Sequence, residues 1–494
     1  MKKLINTRPI VFAALCLAFG IVIGYLSFTS RAWHFVTAIL VIACVYCATK
    51  FYKKDFNKLV LALVCLMAYL IGTLLIFAKI NTYLSAKSFD GNLYTVTGVV
   101  GSVDRLGGDL IGLTLNSAKL GYKSVKYHIY VITSVQNIKV GDSILTSVRL
   151  TFSALDSKSL AQFTPLSTYA GDVMVTGENV DAFYKLFNLI KSKILSNLDG
   201  DNGAMALALL LGDTSYLTQG AKAAYKLSGV SHIFSVSGLH VVFFSTMVGA
   251  LLRLVKVKGG YFVVLSFVIT LCYAGVCGFP VPAIRAVIMT LILNFTKAFG
   301  RKNDSLNSIF LSLIVVLIIY PHNLFSYGLI LSYFAVIGMT VYNHSFKKMF
   351  DSLPEFLQNS LATSLAVTVM ITPILFKMLG YMSIIVVILN VIVVPAVNIL
   401  FFILCFTTLI TLVIPVFDFV WYLPNAITKL LNAFMTAIDF SRLIFYGTVT
   451  LAGLIIYYAA LLFTFDQVNL KKGVKLSCGA FALIIICFSL GGLF

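Results

Sequence analysis

The sequence predicts a polytopic α-helical membrane protein of about 13 spans, with a small OB-like β-barrel inserted on the extracytoplasmic side. Three observations carry that expectation. The 494 residues are 60% hydrophobic and only 11% charged, whereas soluble domains carry about 25% charged residues. Apolar runs long enough for helices of ~20 residues recur along the chain, without the ten-residue alternation of outer-membrane barrels. Residues 81–180 break this pattern: LYTVTGVVGSV, DLIGLTLNSAKL, KYHIYVIT and DSILTSVRLTF alternate with Gly, Asn and Asp turns, the mark of short antiparallel strands.

Residues 1–80 read as three spans, near 10–29, 33–49 and 59–80. Lys2, Lys3 and Arg8 precede the first, and Lys50, Lys53, Lys54 and Lys58 separate the second from the third. Basic flanks belong inside, so the N-terminus is expected in the cytoplasm and residue 81 outside. The opening MKKLINTR resembles a signal peptide, but the apolar run from Pro9 to Phe28 is long for one and another span follows, so an uncleaved anchor is expected.

Residues 81–182 form the β-domain. Barrels of the OB type often bind single-stranded nucleic acid. Here eight acids balance eight bases, so the net charge of +19 resides elsewhere in the chain, and a neutral scaffold bracing the bundle fits equally. Residues 183–230 read as amphipathic, interfacial helices; Gly212-Asp213 within them suits a helix break followed by a new helix start, because Asp can cap freed amides.

The main bundle runs over 231–494. Arg253/Lys256/Lys258, Lys297/Arg301/Lys302, Lys347/Lys348 and Lys471/Lys472/Lys475 punctuate it. With one, two, two and four spans preceding these clusters in turn, all can be cytoplasmic. The four are expected near 357–376, 381–412, 418–440 and 445–465, and a last one over 476–494. A bend or split within segment 381–412 would shift the total by two. All nine cysteines lie in apolar segments, and Cys44-x-x-Cys47 resembles a redox pair in spacing alone. Neither a disulfide framework, a metal site nor a cofactor is expected.

The densest polar stretch in lipid-compatible surroundings is SHIFSVSGLHV, residues 231–241. His232, Ser235, Ser237 and His240 must be hydrogen-bonded or line water there, since an abandoned polar group in hydrocarbon costs several kcal/mol. On a continuous helix the two histidines stand ~80° apart around the axis, and Gly238 permits close contact or an unwound turn. Arg285 should sit in a helix begun near Pro282, either snorkelling or facing an aqueous lumen, where a guanidinium suits phosphate. Pro373 and Pro395 interrupt apolar runs, with Ser332 and Asn390 as polar neighbours. These breaks are either ordinary kinks or cavity linings. Together, His232, Ser235, Ser237, Gly238, His240 and Arg285 are the expected lining of a hydrated route. A secondary transporter or lipid-linked polymer translocase is the alternative. An intramembrane hydrolase on Ser237 and His240 is a lesser one, because no carboxylate stands near them in sequence.

Four segments resemble, in order, the ComEC family of DNA-internalisation proteins. They are ALLLGDTSYLTQGAKAAYKLSGVSHIFSVSGLHVVF (208–243), GFPVPAIRAVIM (278–289), DSLNSIFLSLIVVLIIYPHNLFSYGLILSYFAVIGM (304–339) and MITPILFKMLGYMSIIVVILNVIVVPAVN (370–398). The resemblance implies a non-enzymatic, multi-pass channel carrying one strand of transforming DNA across the cytoplasmic membrane, with the β-domain outside. It places Gly212, Asp213, His232, Ser237, Gly238, His240, Arg285, Ser332, Pro373, Asn390 and Pro395 on family motif positions. The partners it implies are single-stranded DNA, the lipid bilayer, a DNA receptor and a cytoplasmic helicase or ATPase, since the chain lacks Walker motifs. Many members carry a further metallo-β-lactamase-like domain; no HxHxDH motif occurs here, so any strand degradation is expected from a separate nuclease.

Overall fold

A computed structural model of the chain describes residues 8–30, 56–107, 109–135, 138, 140–178, 181–234, 238–300, 304–383, 385–438, 440–464 and 479. The expected spans at 33–49 and 476–494 lie outside these residues, except for Gly479. The chain divides into two compact units, taken here one at a time.

The first unit comprises residues 8–186 and 310–330. Helix α1 (Pro9–Thr29) begins on a proline, whose fixed φ and missing N–H suit a first helical turn. It packs against α2 (Phe56–Ser85) backbone to backbone: a Cβ on Gly20 would strike Tyr69 O, and one on Gly72 would strike Leu17 O. Small residues allow such approach between apolar helices, where water supplies no driving force. Tyr83, near the end of α2, is fully buried and donates its hydroxyl to Ser153 O at 3.2 Å, tying the helix to the β-domain.

That domain holds β1 (Leu93–Gly107), β2 (Leu110–Leu120), β3 (Lys123–Ser124), β4 (Ile129–Thr133), β5 (Asp142–Arg149), β6 (Thr151–Phe152), β7 (Leu166–Ala170) and β8 (Met174–Glu178). Their order is β6-β7-β4-β2-β1-β5-β8, with β3 beside β2. Every pairing is antiparallel except β4 with β7. Buried and part-exposed residues alternate along β4 and β7, the period of a strand with one face on a core. Thr168 of β7 donates to Arg149 O of β5 at 2.8 Å, and Thr146 of β5 donates to Asp172 O at 2.7 Å, so side chains link the two arms of the sheet. Helix α3 (Ser157–Gln162) connects β6 to β7 and opens on an Asp156–Ser159 capping box, which satisfies end amides at both positions.

The second unit comprises residues 187–309 and 331–464 of the described chain. Its helices are α4 (Ala182–Asn197, from Phe187 on), α5 (Gly200–Leu211), α6 (Gln219–Leu227), α7 (Gly238–Leu254), α8 (Gly259–Val276), α9 (Val281–Ala298), α10 (Ser305–Ile319, to Ile309), α11 (Tyr327–Lys347, from Leu331), α12 (Glu355–Leu379), α13 (Val386–Val413), α14 (Tyr422–Thr436) and α15 (Leu451–Thr464). A short antiparallel pair joins β9 (Tyr381–Ser383) to β10 (Ile444–Tyr446). In α12, Pro373 removes the amide that would bond Val369 O. Tyr457 supplies the missing donor at 2.7 Å, and Tyr458 bonds Met370 O at 2.6 Å.

Among the described residues, seven helices are long and apolar enough to cross a membrane: α1, α2, α8, α9, α11, α12 and α13. Four more, α5, α7, α10 and α15, are apolar but shorter. These helices fit a membrane protein. Residues 418–440, expected as a span, fold as a 3-10 turn and the 15-residue α14, about 22 Å long. Asn202 donates to Asn425 at 3.0 Å, while Asn432 donates to Asn202 and accepts from Tyr225, so α14 turns a polar face onto α5 and α6. The segment 381–412 is not split into two helices: after the short β9 it is a single long α13 that passes through Pro395.

Candidate functional site

The Gly-Asp step ends α5. Gly212 adopts the left-handed conformation (φ 77°) and returns its amide to Ala208 O at 3.0 Å, a C-terminal stop that glycine makes without strain. Asp213 then folds the turn after it, accepting the Ser215 amide at 3.0 Å and the Ser215 hydroxyl. Asp213 caps this turn and not the next helix, whose cap is Thr218. The other carboxylate oxygen lies 3.7 Å from Lys191 Nζ, and both side chains are buried. The Lys191 ammonium also sits over the Phe187 and Tyr216 rings, at 5.5 and 4.8 Å.

Gly238 is the first residue of α7; Ser235 and Ser237 lie outside the described residues. His232 stands in the 3-10 turn Ser231–Ile233 and is exposed on the unit's surface. His240 is the opposite case, 1% exposed, its ring stacked on Phe401 of α13 at 5.0 Å and 11°. Phe401 meets Tyr273 of α8 edge-on, and Tyr273 stacks on Phe244. The Tyr273 hydroxyl donates to Leu210 O at 2.8 Å, serving one of the carbonyls that a helix end leaves unmet. His240 Nδ1 is buried without a hydrogen-bond partner.

Arg285 lies in the first turns of α9, after the Pro280–Pro282 start, as the proline signal led one to expect. The residue is 6% exposed. Its guanidinium lies 5.6 Å from the Tyr333 ring centre of α11, Nη1 is 3.7 Å from Met289 Sδ, and Nε has no partner. Nη2 is against Gly238, so close that a Cβ there would collide with it. Among the described residues Arg285 forms no ion pair.

The arrangement is electrostatically one-sided. A cation has been seated against Gly238, the first described residue of α7, and taken out of water. Guanidinium cannot shed its proton, and uncompensated burial of charge costs several kcal/mol. A phosphate or other anion would complete such a site, because a fork of N–H donors is a phosphate ligand. Among the described residues no three His, Cys, Asp or Glu side chains converge as metal ligands.

The structure therefore brings Arg285 to Gly238 and His240 to Phe401. It leaves His232 exposed, and sets Ser332 half-buried on α11. Asn390 donates to Ser364 of α12 at 3.0 Å, with its Oδ1 unmet; Pro373 and Pro395 lie within α12 and α13. His240 and Arg285, expected to line a hydrated route, are buried against aromatic rings. Sequence reasoning missed Lys191, Tyr273, Tyr333 and Phe401. Aromatics in apolar helices carry no distinguishing signal, and Lys191 reads as one more solvated lysine of an amphipathic helix.

A model of the competence protein family matches residues 209–471, which contain Gly212, Asp213, His240, Arg285 and the proline breaks. The chain belongs to that family. ComE operon protein 3 of Bacillus subtilis is 28% identical to it over 216 residues, 43% of this chain and 27% of that protein. The match thus covers about a quarter of the relative's length. No solved structure matches the chain.

Proposed function

We propose that this competence-family chain is the membrane conduit through which single-stranded DNA crosses the cytoplasmic membrane. The observation that carries the reading is Arg285, a buried cation seated against Gly238 with no counter-ion among the described residues. A polymer bearing one phosphate per nucleotide supplies the missing charge repeatedly as it passes. The buried state of Arg285 and His240 is then the resting arrangement, and an arriving phosphate displaces the aromatic contacts that close it.

In this reading the chain makes about 13 spans, with its N-terminus inside and residues 81–182 outside as an OB-like barrel. The strand order and the single parallel pair, β4 with β7, support that class of barrel. Residues 183–230 lie at the interface, and 231–494 form the channel. Single-stranded DNA is the substrate, delivered by a DNA receptor, drawn in by a cytoplasmic helicase or ATPase, and matched by a separate nuclease. The channel performs no chemistry of its own.

The test is transformation frequency in a strain carrying Arg285→Gln at unchanged membrane abundance. A loss of at least about a hundredfold is expected, since an interaction of ~3 kcal/mol with each passing charge disappears. Normal transformation would overturn the reading.

A further inference from the structure

The basic clusters of the second unit are not alike. Lys347, at the end of α11, is paired with Glu355 at 3.5 Å, and Asp351 in the same connection accepts from Gln358 at 2.9 Å. The connection from α7 to α8 has no such balance. It carries Arg253, Lys256 and Lys258, and Lys297 lies at the end of α9, yet no acidic residue occurs between Asp213 and Asp304. All four cations are exposed. None of them makes an ion pair among the described residues.

The fold gathers them at one end of three helices. α7, α8 and α9 pack against one another. α7 and α9 start together, with Arg285 against Gly238, and Asn294 late in α9 donates to Ser266 of α8 at 3.2 Å. The turn after α7 is tight: the Val257 amide returns to Leu252 O and the Lys256 amide to Arg253 O, both at 2.9 Å. Such a helix stop calls for a left-handed residue, and Lys256 takes that place at φ 60°. Glycine would take it without strain, so a charge is kept where the backbone disfavours any side chain. Arg253 is held too, its guanidinium 5.5 Å from the Phe262 ring centre. Apolar groups stand open among the cations. Leu254 is 77% exposed and Tyr261 80%, and the exposed Phe295 and Phe299 rings meet at 4.5 Å.

A connection that only has to stay on the basic side of a membrane needs lysines and nothing more. Here held cations, aromatic rings and aliphatic side chains share one surface without a carboxylate. α8 has 18 residues, about 27 Å, close to the ~30 Å of a hydrocarbon core. Its first turn and the cations therefore fall at headgroup depth, where rings and basic side chains both settle. A water-borne polyanion would match the charge and leave the apolar groups without a partner. A phospholipid brings phosphate and acyl chain together. We infer that the α7–α8 connection and the end of α9 form a binding site for an anionic phospholipid. Arg253, Lys256, Lys258 and Lys297 surround its phosphate, and Leu254 and Tyr261 lie against its chains. The inference needs α8 and α9 to cross a membrane; it does not need DNA to pass through the chain.

The test is titration of the full chain in detergent micelles with a fluorescent phosphatidylglycerol and with the phosphatidylcholine that carries the same acyl chains. Phosphatidylglycerol should bind at least about a hundredfold more tightly, at about fivefold for each cation near its phosphate, and added salt should narrow the gap. Replacing Arg253, Lys256, Lys258 and Lys297 together by Gln should abolish the preference. Lys256→Gly guards against misfolding, because it relieves the left-handed residue. Its unfolding temperature in detergent alone should match or exceed the parent's, while its preference for phosphatidylglycerol falls about fivefold. Equal binding of the two lipids by the parent overturns the site, as does a preference that survives the quadruple change or is unaltered in Lys256→Gly. A labelled single-stranded oligonucleotide whose binding is lost in the quadruple variant, with the lipid preference intact, gives the surface to a polymer and overturns it as well.

Discussion

Lys191 and Arg285 are buried to nearly the same degree in the same unit, at 7% and 6% exposure, and they are treated in opposite ways. Lys191 faces Asp213 at 3.7 Å between two aromatic rings. Arg285 faces a tyrosine ring, a thioether and the backbone at Gly238. Burial is thus not what marks a functional charge, because both cations share it. What separates them is whether the fold itself supplies the opposite sign. The Lys191–Asp213 pair is closed electrostatically and braces the end of α5. Arg285 stays open to a charge from elsewhere.

The largest expected effect breaks the closed member. Asp213→Ala leaves Lys191 buried without its partner and should destabilise the unit by about 3–5 kcal/mol, whereas Lys191→Met with Asp213→Leu should be near neutral. Thermal unfolding of the chain in nanodiscs reads both. Arg285→Met should go the other way, neutral or stabilising, because it removes a charge that had no partner. If Arg285→Met costs as much as Asp213→Ala, then Arg285 is a structural cation and the contrast fails.

The next effect concerns compensation of a dipole. Tyr457→Phe withdraws the donor from Val369 O, the carbonyl that Pro373 leaves unmet, and should cost about 1–3 kcal/mol. Adding Pro373→Ala restores a helical amide and should recover most of that loss. A Tyr457→Phe cost that persists unchanged in the Pro373→Ala background would mean that the hydroxyl acts elsewhere.

Much of this was legible where the cause is local. Gly212 ends α5 because a left-handed residue is required there, and the chain announces it with glycine. Pro280 and Pro282 set the start of α9 and with it the place of Arg285. The alternation in KYHIYVIT became β4. What was not legible depends on distant partners. Nothing near Lys191 in sequence says that Asp213 will meet it. The asparagines of α14 look tolerable in a span until Asn202 and Tyr225 bring them into a polar seam with α5 and α6. The same holds for the parallel pairing of β4 with β7, which no hairpin rule yields. The burial of Arg285 was likewise not legible, because it depends on Gly238 leaving room for the guanidinium where a Cβ would stand.

A third buried basic group, in the unit that carries the β-domain, shows the remaining solution: it gives up its proton. His322 lies between α10 and α11, 8% exposed, stacked on Phe163 and edge-on to Tyr320. Burial, then the charge of Lys79 on α2, then His128 beside β4, push its pKa down to about 3. His128 is itself depressed, mainly by burial. Among the described residues no carboxylate acts on the ring to reverse this. Between pH 6.5 and about 3 the unfolded chain therefore binds a proton that the native one refuses, so stability rises with pH across that window and is lost as pH falls through it. A single such group contributes at most about 1.4 kcal/mol per pH unit, so about 2 kcal/mol between pH 6.5 and 5. His322→Phe keeps the ring stack and removes the titration. The difference between parent and His322→Phe unfolding temperatures should grow as pH drops from 7.5 to 5, with the variant falling less. Parallel curves would mean that His322 binds its proton equally in the folded and unfolded chain, so that burial does not hold it neutral.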